Sequence, residues 1–259
     1  MSPLSKDRSP ASGEGTEPKR VAGVLFDLFG TVVVPFSKHR HSHALRLAAE
    51  ALGLDPIRCD AAWNADYDNR VRGHSGGIAD QLRAFALLEG IELRGEQLDC
   101  MARSYATFCD DLMKPVPTAA ATLRGLAERS VPVGLVSNTA PDFAAAFERS
   151  LLRPLFRTCT FSCVVGAAKP ERAIYVAAAE ALGVKPAGLL FVGDGSDDEL
   201  TGAALVGLTP ALVEADTSDT YDPARDAVAS WAGVRLRDLS EVLGLVDYDF
   251  CDRPFLRAT

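Results

Sequence analysis

The amino-acid sequence predicts an α/β protein in which a doubly wound parallel sheet carries an inserted unit of α-helices. Two observations support this fold class. From residue 117 onwards, short apolar runs alternate with segments of helical periodicity, as in sheets whose strands are buried on both faces. Between residues 37 and 112 the helical spacing continues without a strand-like run, which indicates a separate helical unit.

The predicted core begins with a strand over residues 21–26, which Gly30 follows as a turn residue. Helices and strands then alternate, as expected for right-handed crossover connections. The predicted strands are 131–136, 158–165, 189–192, 210–213 and 227–230, and the predicted helices are 117–128, 140–150, 171–182, 198–206 and 239–245. This order predicts a Rossmann-like core formed by residues 21–36 and 115–259.

The predicted insert covers residues 37–114. Its apolar residues recur at spacings of three and four, for example at Leu82, Phe85 and Leu88, which is typical of helices that bury one face. Closely spaced prolines after Lys114 end the insert, because proline resists continuing a helix. We therefore expect an inserted helical bundle.

Composition excludes several classes of protein. The 259 residues carry a net charge of −8 and no long block of Lys and Arg, which argues against a nucleic-acid partner. The sequence has no stretch of about 18 apolar residues, so no membrane span is expected. Residues 1–20 are rich in Ser, Pro, Gly and charge, and we expect a disordered tail on a cytoplasmic protein. The six cysteines lack a paired CxxC spacing, which predicts reduced thiols.

Polar residues follow the predicted strands, at the edge where open α/β sheets bind their ligands. Asp27 and Thr31 follow the first strand, Ser137 and Asn138 follow the strand at 131–136, and Lys169 precedes a predicted helix. Each has an ordinary structural explanation by itself, as a turn residue, a helix cap or an exposed lysine. Together they predict one crevice in which an anion binds.

The loop over residues 193–199 holds four acidic side chains within six positions after a buried strand. Such crowding is repulsive, and a divalent cation relieves it. Mg²⁺ prefers one or two carboxylates together with water and phosphate oxygens, and Asp27 and Asp194 are the predicted ligands. The helix dipole explains part of the choice of Asp198 and Glu199, because acidic residues are favoured at a helix N-terminus.

The order, spacing and strand-end placement of these pieces over residues 21–213 resemble the haloacid dehalogenase superfamily, in particular its phosphatase-like branch with a helical cap. The first motif of that family reads DxDxT, and this chain has Asp27-Leu28-Phe29-Gly30-Thr31. The resemblance implies that Asp27 is the nucleophile, which becomes an aspartyl phosphate. It also implies that the 37–114 insert is the cap that selects the substrate.

The resemblance assigns roles to the residues that surround the nucleophile. Thr31 and Ser137 match hydroxyls that hold the phosphate, and Asn138 is a further expected substrate-binding residue beside them. Lys169 matches the ammonium that balances the charges of nucleophile and phosphate. Physically, this set is what phosphoryl transfer needs, because positioning and charge neutralisation dominate that reaction.

The implied metal site consists of Asp27, the backbone carbonyl of Phe29 and Asp194, with Mg²⁺ as the expected cofactor. Asp194 matches the first acid of the family's fourth motif. The second acid of that motif is Glu199 if the register is counted back from the following glycine, and Asp198 if it is counted forward from Asp194. Both remain candidate supporting acids.

Phe29 departs from the family's phosphatases, which have a second aspartate there as acid and base. Loss of such a group costs about 10² to 10⁴ in rate. An aromatic residue here also resembles the branch that displaces halide from 2-haloacids without a metal, although that branch lacks the leading acid that Asp194 provides. A catalytically weak binding or regulatory protein on the same fold is a third interpretation.

Three histidines at alternating positions are candidate replacements for the missing proton donor, because imidazole titrates near neutral pH. They are His39, His41 and His43. On a helix only His39 and His43 share a face. Either this pair or His41 is therefore expected to point inward, and the alternative is that all three histidines are solvated. Arginines of the insert are candidates for binding a substrate anion, although most are expected to be surface charge: Arg40, Arg46, Arg70 and Arg72.

The sequence thus predicts a Mg²⁺-dependent hydrolase that acts on a phosphate monoester of a small polar metabolite, of the sugar- or cyclitol-phosphate type. The expected partner is that metabolite, with no nucleic acid and no membrane, and the expected state is a monomer or homodimer. The alternatives are a metal-independent hydrolase similar to 2-haloacid dehalogenases and a weakly catalytic binding protein.

Overall fold

The computed structural model describes residues 21–247; the predicted tail at 1–20 and Cys251 lie outside the described residues. Six parallel strands form one sheet: β1 (Gly23–Phe26), β2 (Val133–Ser137), β3 (Thr158–Phe161), β4 (Leu189–Gly193), β5 (Thr209–Val213) and β6 (Val234–Leu236). Their order across the sheet is β3-β2-β1-β4-β5-β6. The winding therefore reverses at β1, which confirms the doubly wound α/β prediction and places the ligand-binding edge beside this strand.

Strand β1 lies at the centre of the sheet and is buried on both faces. It pairs with β2 through Val24 and Val133, and with β4 through Phe26 and Val192. The backbone N–H of Asp27 continues this ladder, since it donates to the carbonyl of Val192 over 2.9 Å. The register thus fixes the end of β1 next to the end of β4.

A helical insert separates β1 from β2. It contains α1 (Lys38–Ala51), α2 (Pro56–Ala65), α3 (Tyr67–Val71), α4 (Ile78–Leu88) and α5 (Gly95–Leu112). Capping residues explain the first two boundaries: the side chains of Ser37 and Asp55 accept hydrogen bonds from N–H groups of the following turns. The chain enters and leaves the insert at one place, where Val34 donates to the carbonyl of Lys114 over 3.0 Å.

The remaining helices cover the two faces of the sheet. They are α6 (Ala119–Glu128), α7 (Pro141–Arg149), α8 (Ser162–Val165), α9 (Arg172–Leu182), α10 (Glu199–Val206), α11 (Asp226–Ala229) and α12 (Val242–Val246). Short 3₁₀ turns occupy Arg153–Leu155, Pro186–Gly188, Ser196–Asp198 and Leu239–Glu241. One apolar cluster includes Phe26 and extends into the insert, and a second, on the opposite face, includes Leu25 and Phe191. No helix of the described part combines the length and apolar character that a membrane span requires.

Two strand predictions were wrong. The run at 158–165 is a strand only over its first half, because Ser162 begins α8 and its hydroxyl accepts the N–H of Thr139 over 2.9 Å. The run at 227–230 falls in helix α11 and the residues after it, and the edge of the sheet is instead formed by β6, where Val234 pairs with Ala211. Short apolar runs do not distinguish a strand from a helical turn by their pattern alone.

Candidate active site

The carboxylate of Asp27 lies at the end of the central strand and is buried, with 4% of the residue exposed. The hydroxyl of Thr31 donates to its Oδ2 over 3.4 Å, so the predicted motif folds back on the carboxylate. Gly30 makes this turn with φ of +75°, and a Cβ at that position would lie 2.1 Å from Oδ2 of Asp194. Glycine is therefore required both by the backbone conformation and by the close approach of the acidic loop.

Lys169 joins two buried acids. Its Nζ lies 2.5 Å from Oδ1 of Asp27, and it also contacts the carboxylate of Glu199. Burial opposes the charged form of this lysine, but Asp27 and Glu199 outweigh it and hold the pKa of the ammonium well above its usual value. Lys169 is consequently positively charged at neutral pH, and its charge offsets those of the two buried carboxylates that it contacts.

Three buried acids converge here: Asp27, Asp194 and Glu199 each offer an oxygen within 4.8 Å of the others. Glu199 is fully buried and its Oε1 accepts the N–H of Gly195 over 2.9 Å, whereas Asp198 is exposed. Burial is the main reason that the pKa of Glu199 is raised well above its usual value, and Asp27 adds to the effect. The geometry thus favours Glu199 over Asp198 as the second acid of the loop.

This cluster fits a divalent cation of the magnesium type. The convergent groups are all carboxylates, which are the hard oxygen donors that Mg²⁺ takes. Burial also raises the pKa of Asp27, despite the nearby ammonium of Lys169. A cation with two positive charges would stabilise the ionised forms that burial disfavours. Asp27 and Asp194, the two carboxylates predicted as ligands, are both members of this cluster. Phe29, whose carbonyl is the third predicted ligand, follows two residues after Asp27.

Asn138 connects the second and third motifs. Its amide donates to the carbonyl of Lys169 over 3.0 Å and accepts the N–H of the same residue over 2.7 Å, which fixes the backbone that carries the ammonium. The amide also donates to Asp197 over 2.8 Å. Ser137 is buried at the end of β2, and the hydroxyl of Thr139 is buried without a hydrogen-bond partner among the described residues.

A cavity of about 460 Å³ lies between the insert and the carboxyl ends of the strands. It meets the polar cluster at Asn138 and Asp194. The insert contributes Trp63, Tyr67 and Arg70 to its wall. The hydroxyl of Tyr67 donates to Asp197 over 2.9 Å, so insert and core are hydrogen-bonded across the cavity.

Arg70 is the buried cation of this wall, with 5% of the residue exposed. Its guanidinium stacks on Trp63 at 3.9 Å from the ring centre and donates to the carbonyl of the same residue over 2.5 Å. Among the side chains that the structure describes, no carboxylate forms an ion pair with it. The other candidate arginines differ, since Arg40, Arg46 and Arg72 form ion pairs with Asp111, Asp60 and Glu171.

The histidines do not take the place expected of proton donors. His39 and His43 are exposed, and none of the three lines the cavity. His41 points inward, but its two ring nitrogens are hydrogen-bonded to the hydroxyls of Tyr105 and Tyr221, each at 2.9 Å. Burial is the main cause that lowers the pKa of His41 to about 3, so this ring is neutral, and it links α1 to α5 and to the segment after β5.

Phe29 lines the cavity and is half-buried. Its ring packs edge to face against Phe36 at 5.1 Å and against Phe143 at 5.9 Å between centroids. Edge-to-face pairs of this kind stabilise the packing beyond the area that they bury. Phe29 is therefore part of an apolar cluster.

Arg225 was missed by sequence reasoning. It comes from the acidic, turn-rich segment after β5, and its Nη1 lies 2.7 Å from Oδ2 of Asp194 and 3.0 Å from the backbone oxygen of the same residue. Tyr67 was missed as well, because nothing local distinguishes it from other aromatic residues of the insert. The one available signal for Arg225 was that it is the single basic residue of an otherwise acidic segment, two positions after Pro223.

Known proteins resemble this chain in sequence over most of its length. Residues 21–207 match the model of the haloacid dehalogenase-like hydrolases. The phosphoglycolate phosphatase of Escherichia coli (strain K12) is 32% identical over 256 residues, covering 87% of this chain and 93% of that protein. The (S)-2-haloacid dehalogenase of Pseudomonas sp. (strain YL) is 26% identical over 196 residues, covering 72% and 80%.

The fold is also found among solved structures. The haloacid dehalogenase phosphatase from Thermococcus onnurineus superposes with a TM-score of 0.59 at 20% identity, covering 86% of this chain and 97% of that one. At this level of identity the similarity concerns the fold alone. The shared fold covers most of the chain and is not limited to the sheet.

Proposed function

This chain belongs to the haloacid dehalogenase-like hydrolase family, and we propose that it is a Mg²⁺-dependent phosphatase of small phosphate monoesters. The observation that carries the proposal is the buried cluster in which Lys169 joins Asp27 to Glu199, with Asp194 within reach of both acids. A nucleophilic carboxylate, a fixed ammonium and a set of hard oxygen ligands are the parts that phosphoryl transfer uses.

In the proposed reaction Asp27 attacks the phosphorus of the substrate, and the ester oxygen leaves. The phosphoryl group is transferred to Asp27 as an aspartyl phosphate, which water then hydrolyses to release phosphate and free the carboxylate. Lys169 stabilises negative charge on the transferring oxygens, and the hydroxyls of Thr31 and Ser137 orient them. Asn138 keeps Lys169 in place through its two hydrogen bonds to that residue's backbone.

Mg²⁺ would be held by Asp27, Asp194 and the carbonyl of Phe29, with Glu199 as the supporting acid. When bound, it would neutralise phosphate charge and hold the phosphate in line with the nucleophile. The remaining contributions come from the chain itself. Aromatic residues line much of the cavity, and with a substrate bound they would reduce its contact with water and so strengthen the interaction of Lys169 with the phosphate.

Arg70 indicates the substrate class. A buried guanidinium that lines the cavity without a carboxylate partner among the described residues is suited to bind a second anionic group on the substrate. Burial lowers the pKa of this arginine, so a bound anion would stabilise its charge. Phosphoglycolate, which gives its name to curated relatives of this chain, carries a carboxylate beside its phosphate. We therefore propose a small phosphorylated carboxylic acid as the substrate.

We expect Arg70→Gln to raise KM for phosphoglycolate by about 10- to 100-fold, because this factor corresponds to the free energy of a hydrogen bond to a charged group. Nitrophenyl phosphate lacks a second anion, and its KM is expected to change less than about threefold. Steady-state kinetics with both substrates measure the difference. Arg46→Gln is the matched control, since its side chain is 51% exposed and pairs with Asp60. An equal loss on both substrates would show that Arg70 only supports the fold.

Phe29 specifically favours a second candidate function, hydrolysis of 2-haloacids. A departing halide needs no proton, so an apolar residue at this position costs that reaction nothing. A haloacid also has the carboxylate that Arg70 would bind, and one curated relative is named as an (S)-2-haloacid dehalogenase. In this reaction Asp27 would displace the halide and form an ester with the substrate carbon, which water then hydrolyses.

Metal removal separates the two candidates. With the phosphatase function, EDTA should abolish phosphate release from phosphoglycolate, and added Mg²⁺ should restore it. Asp194→Asn should raise the Mg²⁺ concentration needed for half-maximal activity by about tenfold or more, because one ligand charge is lost. Phosphate release that survives EDTA would overturn the metal assignment.

Chloride release from 2-chloropropionate is measured in parallel, with and without EDTA. Release that EDTA does not diminish would establish the dehalogenase function. Cation binding without release of phosphate or chloride would favour the weakly catalytic binding protein that the sequence also allowed.

A further inference from the structure

Arg225 occupies the carboxylate that the proposed metal site depends on. Its Nη1 contacts Oδ2 of Asp194 over 2.7 Å, and this ion pair is nearly inaccessible, with 7% of the arginine side chain and 3% of the aspartate side chain exposed. The other oxygen of Asp194 accepts the N–H of Ser196 over 3.1 Å. Both oxygens of this ligand are therefore already engaged by donors of the chain.

The engaged oxygen is the one that approaches the nucleophile loop. Oδ2 of Asp194 lies so near Gly30 that a Cβ there would be 2.1 Å away. A cation bound to this oxygen beside Asp27 would therefore meet the guanidinium of Arg225 at the same atom. Two positive charges that share one buried carboxylate oxygen repel each other, and burial reduces the screening of that repulsion.

Charge counting leads to the same conclusion. Three buried acids converge at the site, and Lys169 pairs with two of them, Asp27 and Glu199. Arg225 supplies the counter-charge to the third, Asp194. With Lys169 and Arg225 in place, the three ionised acids leave a net charge of −1, and a divalent cation added to the same group would turn this into +1. A buried excess of positive charge is unfavourable, so the cation binds better once Arg225 has left Asp194.

We propose that Arg225 competes with the divalent cation for Asp194 and thereby sets the cation affinity of the site. The inference rests on the metal site of the proposed function. Arg225 has space to withdraw, because it also lines a second cavity of about 500 Å³, whose lining residues come from the ends of β4 and β5 and the segments that follow β5. Glu214 lines that cavity and is a carboxylate that the displaced guanidinium could pair with.

The test is direct titration of the full chain with Mg²⁺ and with Mn²⁺, by isothermal calorimetry and by electron paramagnetic resonance of free Mn²⁺. Arg225→Gln is expected to lower the Kd for the cation by about tenfold or more, since an adjacent like charge disfavours binding by this order. Arg225→Lys, which keeps the charge but loses the planar contact, should lie between that variant and the wild type. An unchanged or raised Kd in Arg225→Gln would overturn the proposal.

Two controls show where the effect arises. Arg235→Gln removes another arginine of the second cavity, one that donates to backbone oxygens of Val228 and Trp231, and its Kd should equal that of the wild type. In an Asp194→Asn background, Arg225→Gln should no longer change the Kd, because the shared carboxylate is gone. An equal gain in affinity in both backgrounds would contradict competition at Asp194.

If Arg225→Gln does not fold, the comparison of Arg225→Lys with the wild type decides, and equal Kd values would overturn the proposal.

The outcomes separate this inference from the proposed function. Cation binding by Arg225→Gln but not by the wild type would refute a Mg²⁺-dependent wild-type enzyme and support the competition. Equal binding by both would leave the phosphatase proposal intact and refute the competition. Binding by neither would refute both.

Discussion

Asp27→Asn is expected to reduce turnover by about 10³-fold or more, because removal of a covalent nucleophile typically costs at least this much. The amide is isosteric with the carboxylate but lacks the negative charge that attacks phosphorus or carbon. The fold should persist, since Lys169 keeps its contact with Glu199 and is not left as an unpaired buried cation. The prediction holds for both candidate reactions, which share this nucleophile.

The measurement compares kcat for phosphoglycolate and for 2-chloropropionate in the wild type and the variant, with melting temperatures as the check on folding. Asp198→Asn is the matched control, because it makes the same change at an exposed acid of the nearby loop. Its kcat should stay within about twofold of the wild type, as for other surface substitutions. Residual activity of Asp27→Asn above about a tenth of the wild type would remove Asp27 from the role of nucleophile.

The placement of the polar cluster could be predicted because it follows from local rules. Strand β1 is a short apolar run buried on both faces, and parallel strands bring their carboxyl ends to one edge. Asp27 and Asp194 each come directly after such a run, so their convergence required only the order of the strands. The choice between Asp198 and Glu199 needed the backbone, because φ values of +51° at Asp197 and +50° at Asp198 direct the loop away from a regular helix.

Contacts between distant segments could not be predicted. His41 was one of three candidate proton donors in the sequence, but it packs between Tyr105 of α5 and Tyr221, which lies 180 residues after His41 in the chain. The ion pair of Arg225 with Asp194 and the hydrogen bond of Tyr67 to Asp197 likewise depend on how segments far apart in sequence pack together. Periodicity and motif spacing describe single elements, and they carry no information about such pairings.

The missing acid at Phe29 is expected to make the phosphatase reaction depend strongly on the leaving group. An alkoxide needs a proton as it departs, whereas a nitrophenolate or carboxylate does not. The ring of Phe29 supplies none, and none of the three candidate histidines lines the cavity. The measurement is kcat/KM for a substrate with a good leaving group, acetyl phosphate or nitrophenyl phosphate, divided by kcat/KM for an alkyl phosphate. We expect this ratio to be larger by about 10²-fold or more than the same ratio in a phosphatase that has the second aspartate.

Phe29→Asp is the variant that tests this explanation, because it places a carboxyl group where related phosphatases have their acid. If a proton donor is all that is lacking, alkyl phosphate turnover should rise by about tenfold or more, at the low end of what general acid catalysis contributes, and nitrophenyl phosphate turnover should change little. Phe29→Asn is the matched control, since it removes the same contacts with Phe36 and Phe143 but cannot protonate the leaving oxygen. A similar fall in both variants would show that the aromatic packing of Phe29 is itself needed to form the closed cavity. If alkyl phosphate turnover rises in neither variant, and the wild type hydrolyses alkyl and nitrophenyl phosphates at equal rates, another group in the cavity already donates the proton.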